Sequence, residues 1–215
     1  MSVRRYLLIA LALATGISCL PSLAAAESFK FNLESSPSTL QGKMHGAPDV
    51  MSFDTGTFSC EKGTGVGTVV GTEVTSISLA PSYSGCQAFG FFSIPIDMNG
   101  CKYVYTTVTK SGGSFVGTKD IVCPAGQLIV ITAPGCTIKI GSQTGLGTVK
   151  LTNIGAGATR EITIDENLTG VQYTEHRPLF YFCTNNTVPQ VDGTLVGATL
   201  ITATSEGPHR GIFVG

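Results

Sequence analysis

Thr174-Glu175-His176-Arg177-Pro178 is the densest cluster of ionisable side chains in this 215-residue chain. A histidine beside a carboxylate can act as a general base, with the carboxylate fixing its tautomer. His176, as a general base or ligand with Glu175 or Asp192 as its orienting group, is therefore the local arrangement that best fits hydrolysis, while carboxylate pairs for glycoside cleavage could still come from strands distant in sequence. Against it, neighbours on an extended chain point to opposite faces, so Glu175 and His176 converge only if the segment turns. A charged connector leading into an apolar strand is the preferred reading. His209-Arg210 is a second cluster of the same kind, and His45 is a lone histidine in a Gly/Pro loop. Tyr173, Arg177, Tyr181, His209 and Arg210 are the residues best suited to touch a ligand or a surface. Phe180-Tyr181-Phe182 reads as core first and as a contact surface second.

Other catalytic patterns do not fit. Gly141-Ser142-Gln143-Thr144-Gly145 puts glutamine where a nucleophilic serine would stand. Gly63-Thr64-Gly65-Val66-Gly67-Thr68 has the glycines of a phosphate loop, but no amphipathic helix follows, so it reads as a glycine-rich strand or bulge. Scattered acids spell no calcium loop. The chain has no tryptophan, the usual platform for stacking sugars, although its 6 tyrosines are a weak substitute. The expectation is no enzyme and no cofactor; a secreted hydrolase with a dispersed site stands as the alternative.

The elements that would position such residues are strands. Phe29, Phe31 and Leu33 alternate with polar residues, as do Ile77 and Leu79, Cys136, Ile138 and Ile140, Val149 and Leu151, Ile162 and Ile164, and Val171 and Tyr173. Residues 34–48 read as loop, with a short strand at 39–43. Asn99-Gly100 is a strong hairpin signal between strands at 91–97 and 102–109. The run 128–131 is apolar throughout, which suits a strand buried on both faces. No segment past the leader has helical periodicity. About a dozen short strands at regular spacing spell an all-β fold: an antiparallel β-sandwich or jelly-roll/Greek-key-like domain with a disulfide-stapled meander, or a barrel.

Arg4 and Arg5, the apolar run that follows and Ala24-Ala25-Ala26 form a signal peptide over 1–26, leaving 27–215 as a single domain. Gly16-Ile17-Ser18 lacks the leucine usually found before a lipid-modified cysteine, which leaves Cys19 a minor alternative. Losing Arg4 and Arg5 takes the 13 basic residues to 11 against 14 acidic ones. That balance offers no footprint for nucleic acid. The mature chain holds no second apolar segment, so no transmembrane segment is expected, and an even set of six cysteines fits the oxidising exterior better than a metal site. A secreted or cell-envelope protein, bacterial by its alanine-rich cleavage site, is the resulting expectation. Its task would be structural, adhesive or ligand-binding, its partner an unknown surface or small molecule; a barrel holding a small apolar ligand is a further alternative.

Six cysteines allow 15 pairings. Cys86 and Cys101 would sit at opposite ends of one strand, about 20 Å apart, whereas a disulfide needs Cα atoms within about 7 Å. The meander instead sets Cys101 beside Cys123, with Tyr103 opposite Ile121, and Cys86 beside Cys136. Cys60 with Cys183 follows by elimination.

Overall fold

The computed structural model describes residues 26–32, 38–177, 183, 185–205 and 211–215. The chain is all-β and antiparallel. Its strands are β1 (Phe29–Phe31), β2 (Ser38–Met44), β3 (Asp49–Phe53), β4 (Gly56–Val69), β5 (Glu73–Val74), β6 (Ser76–Ala88), β7 (Phe92–Ser93) and β8 (Ile96–Asp97). They continue with β9 (Lys102–Ser111), β10 (Ser114–Val122), β11 (Ile129–Ala133), β12 (Cys136–Ile140), β13 (Thr148–Ile154), β14 (Glu161–His176), β15 (Asn186–Thr204) and β16 (Ile212–Val214). The one helical turn among the described residues is a 3₁₀ turn at Gly157–Thr159.

The large sheet closes on itself. β4, β6, β9, β10, β13, β14 and β15 pair in succession, and β15 returns to β2 and β3, which both pair with β4. Residues 45–48 interrupt what is otherwise one stave made of β2 and β3, so the ring has eight staves. All pairings round it are antiparallel. This is the antiparallel all-β architecture expected from the strand spacing, with the meander running round a closed wall. Ring closure leaves the wall without a free edge.

Alternation fixes which side chains fill the ring. Phe58 and Cys60 on β4, Ile77 and Leu79 on β6, Tyr103 and Tyr105 on β9, Leu151 on β13, and Ile162, Ile164 and Leu168 on β14 are all buried. Their sequence neighbours, the buried Thr163 apart, are half-buried or exposed. The glycine run lies within β4, where it lets the wall pack closely: a Cβ on Gly67 would overlap the carbonyl of Ser78.

Both mouths are covered. At one end β1 pairs with β16 and β5, and this three-stranded patch inserts Phe29, Phe31, Ile212 and Val214. Asn153 ties it to the wall: its amide donates to Val214 O at 2.9 Å, and its Oδ1 accepts from Val214 N at 2.8 Å. At the other end β12 extends from β14, β11 pairs with β12, and β8 with β11. Their inward residues Ile96, Ile129 and Ile140 line one cavity together with Met51, Phe53, Leu168 and Leu195 of the ring.

All three disulfides lie towards this second end. They join Cys60 to Cys86, Cys101 to Cys123, and Cys136 to Cys183. The Cys101–Cys123 pairing and the Tyr103–Ile121 register are as expected. The Cys86–Cys136 and Cys60–Cys183 pairings are not. Cys86 belongs to a ring strand in register with Cys60 across the β4–β6 ladder, while Cys136 opens a hairpin that leaves the ring and meets the chain beyond β14.

Local expectations fail in three further places. Asn99 and Gly100 do form a left-handed turn, with φ of 48° and 78°, but β8 leaves it for β11 and no hairpin with β9 results. The strand at β11 is buried on one face only, because Leu128 is 36% exposed while Ile129 and Ile131 are buried. By contrast, the short strand expected at 39–43 is present as β2, the first half of the stave that β3 completes. Val171 and Tyr173 continue the strand of Ile162 and Ile164 through bulges as the 16-residue β14. Leu33 and residues 1–25, most of the expected leader, lie outside the described residues.

Candidate functional site

The midsection of the ring is polar. Lys119 on β10 and Glu166 on β14 point inward, and their side chains are 1% and 4% exposed. Lys119 Nζ lies 2.5 Å from Glu166 Oε2, and the Tyr105 hydroxyl donates to Oε1 at 2.6 Å. The ammonium also sits 3.6 Å from the centre of the Tyr103 ring, a cation–π contact in a dry setting. The Tyr83 and Tyr103 hydroxyls are 3.3 Å apart. Burial raises the pKa of Tyr83, Tyr103 and Tyr105, so all three phenols stay protonated at neutral pH.

Asp49 completes the chamber. It opens β3, is 7% exposed, and its Oδ1 has no hydrogen-bond partner. The carboxyl packs against Gly197, where a Cβ would overlap Oδ1, and Gly197 is the residue paired with Glu166 across β14 and β15. Burial, with the Glu166 charge second, raises the Asp49 pKa from 3.8 to about 6, partly opposed by Lys119 and by a hydrogen bond from the Ala198 backbone. Asp49, Lys119, Glu166, Tyr83, Tyr103 and Tyr105 line a cavity of about 20 Å³, room for one water. A second cavity of about 20 Å³ lies towards the disulfide-bearing mouth. The glycines at 42, 63 and 65 line the first cavity and leave its wall at backbone thickness.

The sequence candidates gather at the rim of that mouth, apart from the chamber. The Tyr173 hydroxyl donates to Asp192 Oδ1 at 2.9 Å and accepts from Asp54 N–H at 2.9 Å. Asp54 and Asp192 share a hydrogen bond, which raises the pKa of Asp54; Asp192 is lowered, chiefly by the Tyr173 hydroxyl and then by that shared bond. Glu175 is buried and accepts from the Thr55 hydroxyl at 2.8 Å. It also lies beside the Cys136–Cys183 bridge, with Cys183 Sγ 3.7 Å from Oε2. Cys136, Glu175 and Cys183 are close enough to suggest a metal site. The two sulfurs are bonded to each other, so neither can serve as a thiolate ligand.

His176 is exposed on the opposite face of β14, and its side chain has no partner among the described residues. The alternation that separates it from Glu175 also keeps it from the Tyr173–Asp192 pair. Arg177 is exposed at the strand end, and His45 is exposed in the interruption between β2 and β3. Tyr181, His209 and Arg210 lie outside the described residues. Thus Tyr173, Glu175 and Asp192 are brought round the Asp54-Thr55 turn as structural anchors, and among the described residues no histidine meets them.

Shallow depressions open on the outer wall. One, about 380 Å³, is lined by Gln41, Lys43, Thr64, Val66, Leu200 and Thr202. Another, about 210 Å³, lies over β10, β13 and β14. No helix among the described residues is long and apolar enough to cross a membrane. No family model, curated protein or solved structure was found to match the chain.

Proposed function

We propose that the chain is an exported, non-enzymatic β-barrel of structural, adhesive or binding type that makes its contacts through the outside of its wall. The observation that carries this reading is the placement of the polar groups. Lys119, Glu166, Asp49 and three tyrosines converge, but in a buried interior where the cavity they line, like its neighbour towards the disulfide-bearing mouth, has room for only one water. An eight-stranded barrel is just wide enough either to fill itself with side chains or to hold one small ligand. Here the side chains fill it. Outward positions carry mostly Thr, Ser, Gln and Lys, such as Thr39, Gln41 and Lys43 on β2. A lipid-facing barrel would show an apolar outer band instead. Three disulfides and the alanine-rich leader support export to a bacterial envelope or medium.

The test is native mass spectrometry of the protein recovered from cells that export it, alongside a panel of ester, glycoside and peptide substrates. A bare protein mass and no turnover are expected. A small-molecule adduct would favour the carrier reading, and turnover abolished by His176→Ala would favour the hydrolase.

A further inference from the structure

We propose that Lys119 and Glu166 are joined by an isopeptide bond, formed inside the folded barrel by condensation of the Lys119 amine with the Glu166 carboxyl. The inference concerns the interior alone and is independent of what the outer wall contacts.

Three observations carry it. The first is contact: Nζ lies 2.5 Å from Oε2, and both side chains are almost wholly buried. The second is a donor placed for the reaction, the Tyr105 hydroxyl 2.6 Å from Glu166 Oε1. The third is an unused acid. Asp49 Oδ1 is buried without a partner, lines the same cavity as Lys119 and Glu166, and packs against the glycine paired with Glu166.

The environment favours condensation. As an ion pair, the two charges must offset the desolvation of both groups through their mutual attraction. The amide replaces them with one neutral polar group, whose burial costs far less. A single proton transfer along the Nζ–Oε2 contact converts ammonium and carboxylate into amine and acid.

The Nζ lone pair then attacks Glu166 Cδ. Negative charge develops on Oε1, where the Tyr105 hydroxyl already donates. Asp49 takes one proton from the nitrogen and passes one to the departing Oε2 hydroxyl. The Nζ–Cδ bond forms, the Cδ–Oε2 bond breaks, and one water leaves into a cavity with room for one. Nothing is oxidised or reduced. The Asp49 pKa of about 6 suits a group that both gives and receives a proton near neutral pH.

The experiment is intact mass spectrometry of the full chain, expressed with its own leader and measured after disulfide reduction. The expected mass is lower than the sequence mass of the processed chain by one water. Trypsin should leave the Lys119-Asp120 bond uncut and release a branched peptide containing Lys119 and Glu166. Lys119→Arg should restore the sequence mass. The wild-type spectrum decides the matter even if that variant fails to fold. A mass with no water lost, trypsin cleavage after Lys119, or a bond from Lys119 to Asp49 would each overturn the proposal.

Discussion

Asp49→Asn should remove a pH dependence that the wild-type barrel carries. In the unfolded chain the Asp49 carboxyl titrates near 3.8, and in the barrel near 6. Below the lower value it is protonated in both states, and its contribution to stability is fully present. Between the two values the unfolded state ionises while the folded state holds its proton, so stability falls as pH rises, levelling off above 6. A shift of roughly two units corresponds to a loss of about 3 kcal/mol. Desolvation is the leading cause, so the effect persists even if the Glu166 charge is removed. Urea unfolding with disulfides intact, followed by tyrosine fluorescence and circular dichroism at pH values from about 3.5 to 7.5, measures it. Subtracting the Asp49→Asn curve cancels the other titrating groups. A difference between the two proteins that stays constant to within about 0.5 kcal/mol, or that shows wild-type gaining relative stability towards neutral pH, would refute a desolvated Asp49.

Further outcomes follow from the same packing. Lys119→Ala strands Glu166 in the interior and should be less stable in denaturant unfolding than Lys119→Met with Glu166→Leu by about 3–5 kcal/mol, a comparison in which neither protein can form the cross-link. Replacing Cys60 and Cys86 together by alanine should cost about 3.5 kcal/mol from the 26-residue separation they close, read as a lowered urea midpoint. Tyr173→Phe removes the hydroxyl that links Asp54 and Asp192 and should cost about 1–2 kcal/mol. His176→Ala should change stability by less than about 0.5 kcal/mol.

Strand faces were legible in the sequence because one-sided burial writes a period of two. Phe29 and Phe31, Ile77 and Leu79, and Cys136, Ile138 and Ile140 all face inward as that period requires. The interior charges follow the same rule but were missed. Lys119 shares parity with Phe115, Gly117 and Ile121; Glu166 with Ile162, Ile164 and Leu168; and Asp49 with Met51 and Phe53. A charge at inward parity is the signal these residues leave, whereas charges clustered along the chain single out Glu175 and His176, which alternation keeps apart.

Ring closure left no local trace. β15 meets β2 through pairs such as Thr199 with Met44, separated by most of the chain. The disulfide pairing failed for a related reason: whether a strand joins the ring or leaves it for the mouth depends on distant partners. Asn99-Gly100 made its turn, but the segment before it was claimed by β11.

Hydrogen exchange of the β15 amides tests the closed, filled barrel most directly. β15 pairs on one side with β14 and on the other with β2 and β3, so its central amides, 194–196 and 199–201, should be protected alternately by both neighbours. Slow exchange across both sets, matching the most protected amides of β9 and β10, is the expected result. Fast exchange of those bonded to β2 and β3 would make β15 a free edge, open the ring and contradict the closed barrel.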